Sequence, residues 1–146
     1  MQKDLLLDIR KNRRLYQKKI LEAIGYEAYE CGRYKVNLSL AILDSDSAVH
    51  LEEFSQTLRD TDSFITLDEH TYCLIFPFTD TAQGVKAASN LLSKFEMKDF
   101  SAKIYLGIVN IENCEMPERE ISELFDILEY AISNGMNNIP LNSTSF

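Results

Sequence analysis

The sequence predicts an α+β fold, with a ferredoxin-like βαββαβ core, an antiparallel sheet flanked by helices, an extra N-terminal helix and a C-terminal helix. Dense apolar runs bounded by polar turns indicate strands over residues 36–43, 62–67, 71–77 and 102–111. Apolar residues repeating at helical spacing indicate helices between and around these runs. The order of the elements and the handedness of crossovers place the two core helices on one face of the sheet.

The N-terminal segment is predicted to form one long helix from residue 3 to about residue 30. Its basic run Lys11-Asn12-Arg13-Arg14 is interpreted as a solvated helix face. Cys31-Gly32-Arg33 is expected to turn the chain, and Tyr26, Tyr29 and Tyr34 are expected to pack under the sheet. The apolar residues that keep near the helical period are Leu5, Ile9, Leu15, Ile20, Leu21, Ile24 and Ala28.

Polar caps bound the two helices of the predicted core. Thr79-Asp80-Thr81 is expected to cap a helix from Ala82 to about Phe95. Asp44-Ser45-Asp46-Ser47 is expected to end the first strand and to cap the other helix. The residues that would face the sheet from that helix are Val49, Leu51, Phe54 and Leu58.

The C-terminal part is predicted to be one helix and a tail. Pro117 is well suited to open a helix that runs through about Ser133, and Gly135 is suited to stop it. The tail from Asn137 is expected to hold one short strand and then to lose order.

Length and composition indicate one ordinary globular domain. The 146 residues suit a single domain, which we divide into 1–33 (N-terminal helix and turn), 34–139 (core) and 140–146 (tail). The formal net charge of −8 argues against unspecific nucleic-acid binding. The three cysteines lack metal-site spacing, and no apolar run is long enough to span a bilayer. We therefore expect a cytoplasmic protein with reduced thiols and no membrane segment within this chain.

Four short motifs, in order along the predicted elements, resemble those of the GGDEF (diguanylate cyclase) family. They are Asn12-Arg13-Arg14, the strand with D-x-D that ends at Asp44-Ser45-Asp46, Tyr105-Leu106-Gly107-Ile108 and Gly135-Met136-Asn137. The resemblance extends from about residue 8 to residue 139. It implies a core of the nucleotidyl-cyclase type and a role in bacterial cyclic di-GMP signalling.

The signature turn of that family departs from its pattern here. Alignment back from Ile75-Phe76-Pro77 places G-G-[DE]-E-F on Asp68-Glu69-His70-Thr71-Tyr72. The resemblance implies glycines where Asp68 and Glu69 stand, since the backbone passes close to the nucleotide there. At the position of His70 it implies an acidic residue that binds the metal ions together with the aspartate of the first strand. That aspartate is Asp44. Hard Mg²⁺ prefers oxygen ligands to a ring nitrogen.

Further family positions also lack the required chemistry. The phosphate-binding lysine and arginine fall on Ile132 and Met136, which cannot neutralise phosphate. Nothing in Ser45–Leu58 matches the guanine-reading asparagine. We therefore expect a degenerate GGDEF domain that is not an enzyme, with no catalytic residues and no cofactor, and with Asp44 as a vestigial metal ligand. An unorthodox metal site remains an alternative to solvated acidic turns, from Asp44, Asp46, Asp68, Glu69 and His70.

One binding motif of the family is retained. Arg59-Asp60-Thr61-Asp62 fits R-x-x-D, which in the family binds cyclic di-GMP. Arg59 and Asp62 are therefore candidate ligand-binding residues, although a second family arginine falls on Asn90. The alternative is that Arg59 caps the preceding helix and Asp62 starts the strand.

Three functions remain open from the sequence. The first is an inactive regulatory module that binds a protein partner or a second copy of itself through the N-terminal helix. The second is a cyclic di-GMP receptor that uses Arg59 and Asp62. The third is a residual metal-dependent nucleotide-binding enzyme that uses Asp44 and the acidic turn.

Overall fold

The computed structural model describes residues 4–47, 56–98 and 101–143, and these form four helices and five strands. The helices are α1 (Leu5–Ala23), α2 (Gly25–Tyr34), α3 (Thr81–Lys98) and α4 (Glu118–Ser133). The strands are β1 (Leu38–Ser45), β2 (Ser63–Asp68), β3 (Thr71–Pro77), β4 (Ile104–Asn110) and β5 (Pro140–Leu141).

The strands make one sheet in the order β2-β3-β1-β4-β5. β1 lies in the middle and pairs antiparallel with β3 and β4, β2 pairs antiparallel with β3, and the short β5 runs parallel to β4. This order confirms the predicted ferredoxin-like core and the predicted hairpin. The predicted last helix is also confirmed, with Gly135 at a φ of +62° just after its end.

Helices cover both faces of the sheet. Of the two core helices that the sequence predicted on one face, only α3 lies within the described residues, so their shared face stays a prediction. α1, α2 and α4 pack against one face, around the largest apolar cluster, and α3 packs against the other. The close fit of α4 depends on Gly107, since a Cβ there would lie 2.9 Å from Cγ2 of Ile127. A sheet buried on both faces explains why β1, β3 and β4 have continuous apolar runs.

The N-terminal segment is two helices, so the prediction of one long helix was wrong. Ile24, at φ −90° and ψ 1°, leaves the helical conformation between them. The expected turn at Cys31-Gly32-Arg33 is helical, and the chain turns at Lys35, which has a φ of 55°. The three tyrosines expected under the sheet are exposed on α2, by 73%, 63% and 57% for Tyr26, Tyr29 and Tyr34.

The inward face of α1 also differs from the prediction. Leu15 is 52% exposed and Tyr16 is buried in its place. The basic run is not simply solvated either, because Arg13 bonds to Asp126, Glu129 and the Ser122 carbonyl of α4. α1 is therefore tied to α4 by a charged clasp as well as by apolar packing.

Some predicted elements have different limits or lie outside the described residues. β1 extends through Asp44 and Ser45, which the sequence assigned to a cap. The helix predicted after Ser47, with Val49, Leu51 and Phe54, falls largely in residues 48–55, outside the described residues. Within the described residues, none of the helices is long and apolar enough to cross a membrane.

Candidate functional site at the hairpin turn

The end of β1 and the β2–β3 turn bring Asp44 against His70 and Thr71. Asp44 lies opposite Thr71 in the register of β1 with β3. Its Oδ1 accepts hydrogen bonds from Nδ1 of His70 and from Oγ1 of Thr71, each at 2.8 Å. A carboxylate only accepts, so these two side chains act as donors toward it. Three positions that the sequence singled out therefore form one buried polar cluster.

The ring of His70 lies between two carboxylates. Its Nε2 is 3.5 Å from Oδ2 of Asp68, on the side of the ring away from Asp44. The Ser45 amide donates to the His70 carbonyl at 3.0 Å, which fixes the turn to β1. Asp44 is 0% exposed and His70 is 5% exposed, whereas the side chain of Asp68 is 33% exposed. The cluster is thus closed on the Asp44 side and open to water on the Asp68 side.

Tyr16 of α1 joins this cluster from the helical layer. Its hydroxyl donates to Oδ2 of Asp68 at 3.4 Å. Burial, followed by the negative charge of Asp68, raises the pKa of Tyr16 to about 12. The pKa of Tyr105 is also raised, first by burial and then by the charges of Asp46 and Asp44. Both phenols therefore stay neutral at physiological pH beside the acidic turn.

Two other acidic residues that were expected at this edge lie apart from the cluster. Asp46 accepts a hydrogen bond from the Lys103 amide at 3.0 Å, which ties the end of β1 to the start of β4. Glu69 is exposed at the tip of the turn.

Arg59 and Asp62 lie at the opposite end of the hairpin and bind each other. Nη2 of Arg59 is 2.9 Å from Oδ1 of Asp62, and Oδ2 of Asp62 accepts from the Arg59 amide at 2.9 Å. The guanidinium also donates to the Pro77 carbonyl at 3.0 Å and to the Thr79 hydroxyl. The side chain of Arg59 is 52% exposed and that of Asp62 only 2% exposed. Arg59 and Asp62 therefore bond to each other across the turn, and of the two side chains only that of Arg59 is substantially exposed to solvent.

The positions expected to bind phosphate carry apolar side chains that belong to the core. Ile132 and Met136 are partly buried and pack against the cluster formed by α1, α2 and α4. Cys73, predicted to be buried and inert, is 0% exposed, and burial raises its pKa to about 12. None of these three side chains offers a charge or a nucleophile at neutral pH.

Comparison with solved structures identifies the architecture. The structure resembles the GGDEF domain of YfiN from Pseudomonas aeruginosa, with 13% identity, 89% of this chain and 94% of that chain covered, and a TM-score of 0.63. The chain has a GGDEF-like fold. Identities this low establish the fold and leave the activity open. No family model matches the sequence, and no curated protein matches it.

Two further structures share the GGDEF-like fold over nearly their whole length. One is the GGDEF domain of DgcB from Caulobacter crescentus in complex with c-di-GMP, at 12% identity, 88% and 91% coverage and a TM-score of 0.63. The other is the active GGEEF domain of a diguanylate cyclase from Vibrio cholerae, at 12% identity, 85% and 94% coverage and a TM-score of 0.64. The resemblance read from the sequence is confirmed at the level of the fold.

The metal ions that a GGDEF-like fold implies do not fit the residues present. Oδ1 of Asp44 already accepts two hydrogen bonds, and one of the two neighbouring side chains is an imidazole, which offers no oxygen ligand. Mg²⁺ requires several oxygen ligands in near-octahedral geometry. Within residues 4–47, 56–98 and 101–143, no three or more His, Cys, Asp or Glu side chains are arranged to hold a metal ion.

Sequence reasoning found most of this cluster but missed two of its features. Tyr16 was missed because the sequence analysis assigned the neighbouring Leu15, and not Tyr16, to the buried face of α1. The role of His70 was read only as the loss of a metal ligand, because its contacts with Asp44 and Asp68 depend on the register of three strands. An aromatic residue at helical spacing from Ile9 and Ile20 was the available signal for Tyr16.

Proposed function

We propose that this chain is a catalytically inactive GGDEF-like signalling domain, a regulatory or protein-interaction module of bacterial second-messenger signalling in the cytoplasm. The observation that carries the proposal is the ring of His70 between Asp44 and Asp68. It occupies the edge of the sheet where the fold implies a metal–triphosphate site. We take residues 1–146 as one such domain.

The phosphate side of the same edge supports the proposal. Phosphoryl chemistry needs cations to position and neutralise the triphosphate. Ile132 and Met136 pack into the core and carry no charge. Asp68 and Glu69 add negative charge at the turn, which repels a polyanion. These four positions therefore offer no cation to a triphosphate, which supports an inactive domain.

The outer face of α1 supports a partner-binding role. Leu7 and Leu15 are 61% and 52% exposed, and they share this face with three exposed cations, Lys11, Arg14 and Lys18. The face lies opposite the residues of α1 that pack on α4. Two such faces placed together would repel each other, whereas acidic side chains on a partner would pair with the cations. We therefore propose a protein partner with an acidic and apolar surface.

The nucleotide part of the proposal is tested by thermal melting. The protein is melted in buffer, with GTP plus Mg²⁺ and with cyclic di-GMP. A ligand present at 100 times its Kd stabilises by about 2.7 kcal/mol, so even modest affinity shifts the melting temperature. We expect no shift with GTP plus Mg²⁺. A shift that requires both Mg²⁺ and Asp44, and that Asp44→Asn abolishes, would instead favour the metal-dependent nucleotide-binding enzyme.

The partner part is tested by charge reversal on α1. The triple variant Lys11→Glu, Arg14→Glu, Lys18→Glu is compared with a matched triple variant on α3, Lys86→Glu, Lys94→Glu, Lys98→Glu. We expect proteins captured by the wild-type domain from its own cells to be lost with the α1 variant and kept with the α3 variant. Equal retention by both variants would contradict binding through α1. Light scattering of the wild type tests self-association, for which the like charges on α1 predict a monomer.

Cyclic di-GMP binding at Arg59 is a second candidate function. The observation that favours it is the guanidinium, which is held in place by Asp62 and Pro77 while half of the side chain stays exposed. A fixed planar cation suits guanine or phosphate. Against it, Asp62 is closed to solvent and is already bonded to Arg59. A melting shift with cyclic di-GMP that Arg59→Ala removes would support this function.

A further inference from the structure

We propose that the imidazole of His70 takes the place of a metal cation in this fold, by bridging the buried Asp44 and the partly exposed Asp68. The site would then be complete without a divalent ion. This inference concerns how the domain holds its acidic edge together, and it stands whether or not a partner binds α1.

The need for a cation at this edge follows from burial. Asp44 is 0% exposed in the middle strand of the sheet. A buried carboxylate destabilises a fold unless a counter-charge and hydrogen bonds compensate for the lost water. Asp68 places a second carboxylate near the His70 ring, on the side away from Asp44. Two carboxylates on one ring are close enough to repel each other. An edge of this kind requires a group between the two acids that keeps them apart and forms polar contacts with both.

The geometry of His70 meets that requirement from both sides of one ring. Nδ1 is 2.8 Å from Asp44 and Nε2 is 3.5 Å from Asp68. Each ring nitrogen faces a carboxylate oxygen of a different aspartate, so one ring spans both acids. Thr71 supplies a second donor to Asp44 at 2.8 Å. The backbone of His70 is held against β1, because the Ser45 amide donates a hydrogen bond to the His70 carbonyl at 3.0 Å. This contact helps to position the ring.

The decisive variant is His70→Asp, which returns an acid to this position. Three carboxylates would then share one partly buried edge, and a divalent cation is what would hold them together. The matched control is Thr66→Asp, which adds the same charge to an exposed position of β2. Each protein is melted in EDTA and again with millimolar Mg²⁺ or Mn²⁺.

We expect the wild type and Thr66→Asp to melt at the same temperature in EDTA as with either cation. His70→Asp should lose roughly 10 °C in EDTA, and the cation should restore at least half of that loss. Two results would overturn the proposal. One is a wild type that gains stability from Mg²⁺ or Mn²⁺, with the gain lost in Asp44→Asn. The other is a folded His70→Asp that does not respond to either cation.

A double-mutant cycle tests the proposal if His70→Asp does not fold. The single variants Asp44→Asn and His70→Asn each break the bridge and should each lower the melting temperature. In the double variant no buried carboxylate remains to be compensated at position 44, so its loss should be smaller than the sum of the two single losses. Additive losses would show that the two residues act independently and would overturn the proposal.

Discussion

The two ends of the β2–β3 hairpin each hold a pair of ionisable side chains, and the two pairs differ in their exposure to water. At the turn, His70 meets Asp44 with 6% and 0% of their side chains exposed. At the open end, Arg59 meets Asp62 with 52% and 2% exposed. Both pairs fall on positions that carry function in diguanylate cyclases according to the sequence resemblance. The first pair is closed to solvent, whereas the second presents a half-exposed guanidinium to it.

We infer that burial, more than residue identity, separates a structural pair from a candidate binding site in this fold. Removing one partner of a closed pair is costly, since the group that remains is buried without water to solvate it. An exposed pair contributes little, because water screens it and solvates what is left. If this holds, the loss of folding free energy on breaking each pair should decrease as the exposure of the pair increases.

The largest effect is expected at the turn. His70→Ala removes the ring between Asp44 and Asp68 and should destabilise the protein by about 3 kcal/mol, because a buried carboxylate loses a hydrogen-bond partner. Urea unfolding gives the free energy. Glu69→Ala, at the exposed neighbouring position, should change stability by less than about 0.5 kcal/mol. Equal losses for the two variants would contradict the burial argument.

The clasp between α1 and α4 should give an intermediate effect. The side chain of Arg13 is 22% exposed and that of its partner Glu129 is 18% exposed. Arg13→Ala should cost about 2 kcal/mol, since hydrogen bonds to charged groups contribute more than neutral ones. Arg10 bonds to the same Glu129 but is 60% exposed. Arg10→Ala should therefore cost well under half as much in the same urea measurement.

The open end of the hairpin should give a smaller effect. Arg59→Ala should cost about 1 kcal/mol or less, because the guanidinium is half exposed and its partners can be solvated. Asp62→Ala should cost more than Arg59→Ala, since the Arg59 amide also loses its acceptor. Chemical denaturation of the two variants gives the order. The reverse order would mean that the arginine, and not the turn, stabilises this end.

The smallest effect is expected from Tyr16 and appears only at high pH. The pKa of Tyr16 is raised from the ordinary 10.0 to about 12 by burial and by Asp68. A pKa raised on folding means that the neutral phenol is favoured in the folded state, so this stability is present below pH 10 and is lost as the pH rises toward 12. Tyr16→Phe should therefore flatten the fall of melting temperature in that window. Tyr26→Phe, at an exposed position, is the control and should leave the fall unchanged.

Much of the fold was predictable because local sequence patterns identify the strands. β1, β3 and β4 are short apolar runs bounded by polar turns, and their order along the chain leaves few right-handed topologies. The hairpin was placed correctly, with its turn at Glu69 and His70. The sequence did not assign α4 to a face of the sheet, because α4 was treated as an addition to the core. Gly107, where α4 approaches β4 closely, carries that information only once the strands are assembled.

The candidate site was predictable as a list of residues but not as an arrangement. His70 was recognised as a departure from the metal-binding pattern, yet its bonds to Asp44 and Asp68 arise from strand register. Arg13 was read as solvated because its partners on α4 lie more than 100 positions away in the chain. Helical periodicity and helix caps can be recognised from residues that are close in the sequence. Pairing between distant charged residues depends on tertiary packing, which local patterns do not encode.

The most direct test of the central claim is GTP turnover. The wild-type protein and Asp44→Asn are incubated with GTP and Mg²⁺, and again with Mn²⁺, and cyclic di-GMP and pyrophosphate are measured by chromatography. With the imidazole of His70 in the place of a metal cation, we predict no product above the level of Asp44→Asn with either metal. Formation of cyclic di-GMP that requires the metal and disappears in Asp44→Asn would show that the domain is an active cyclase.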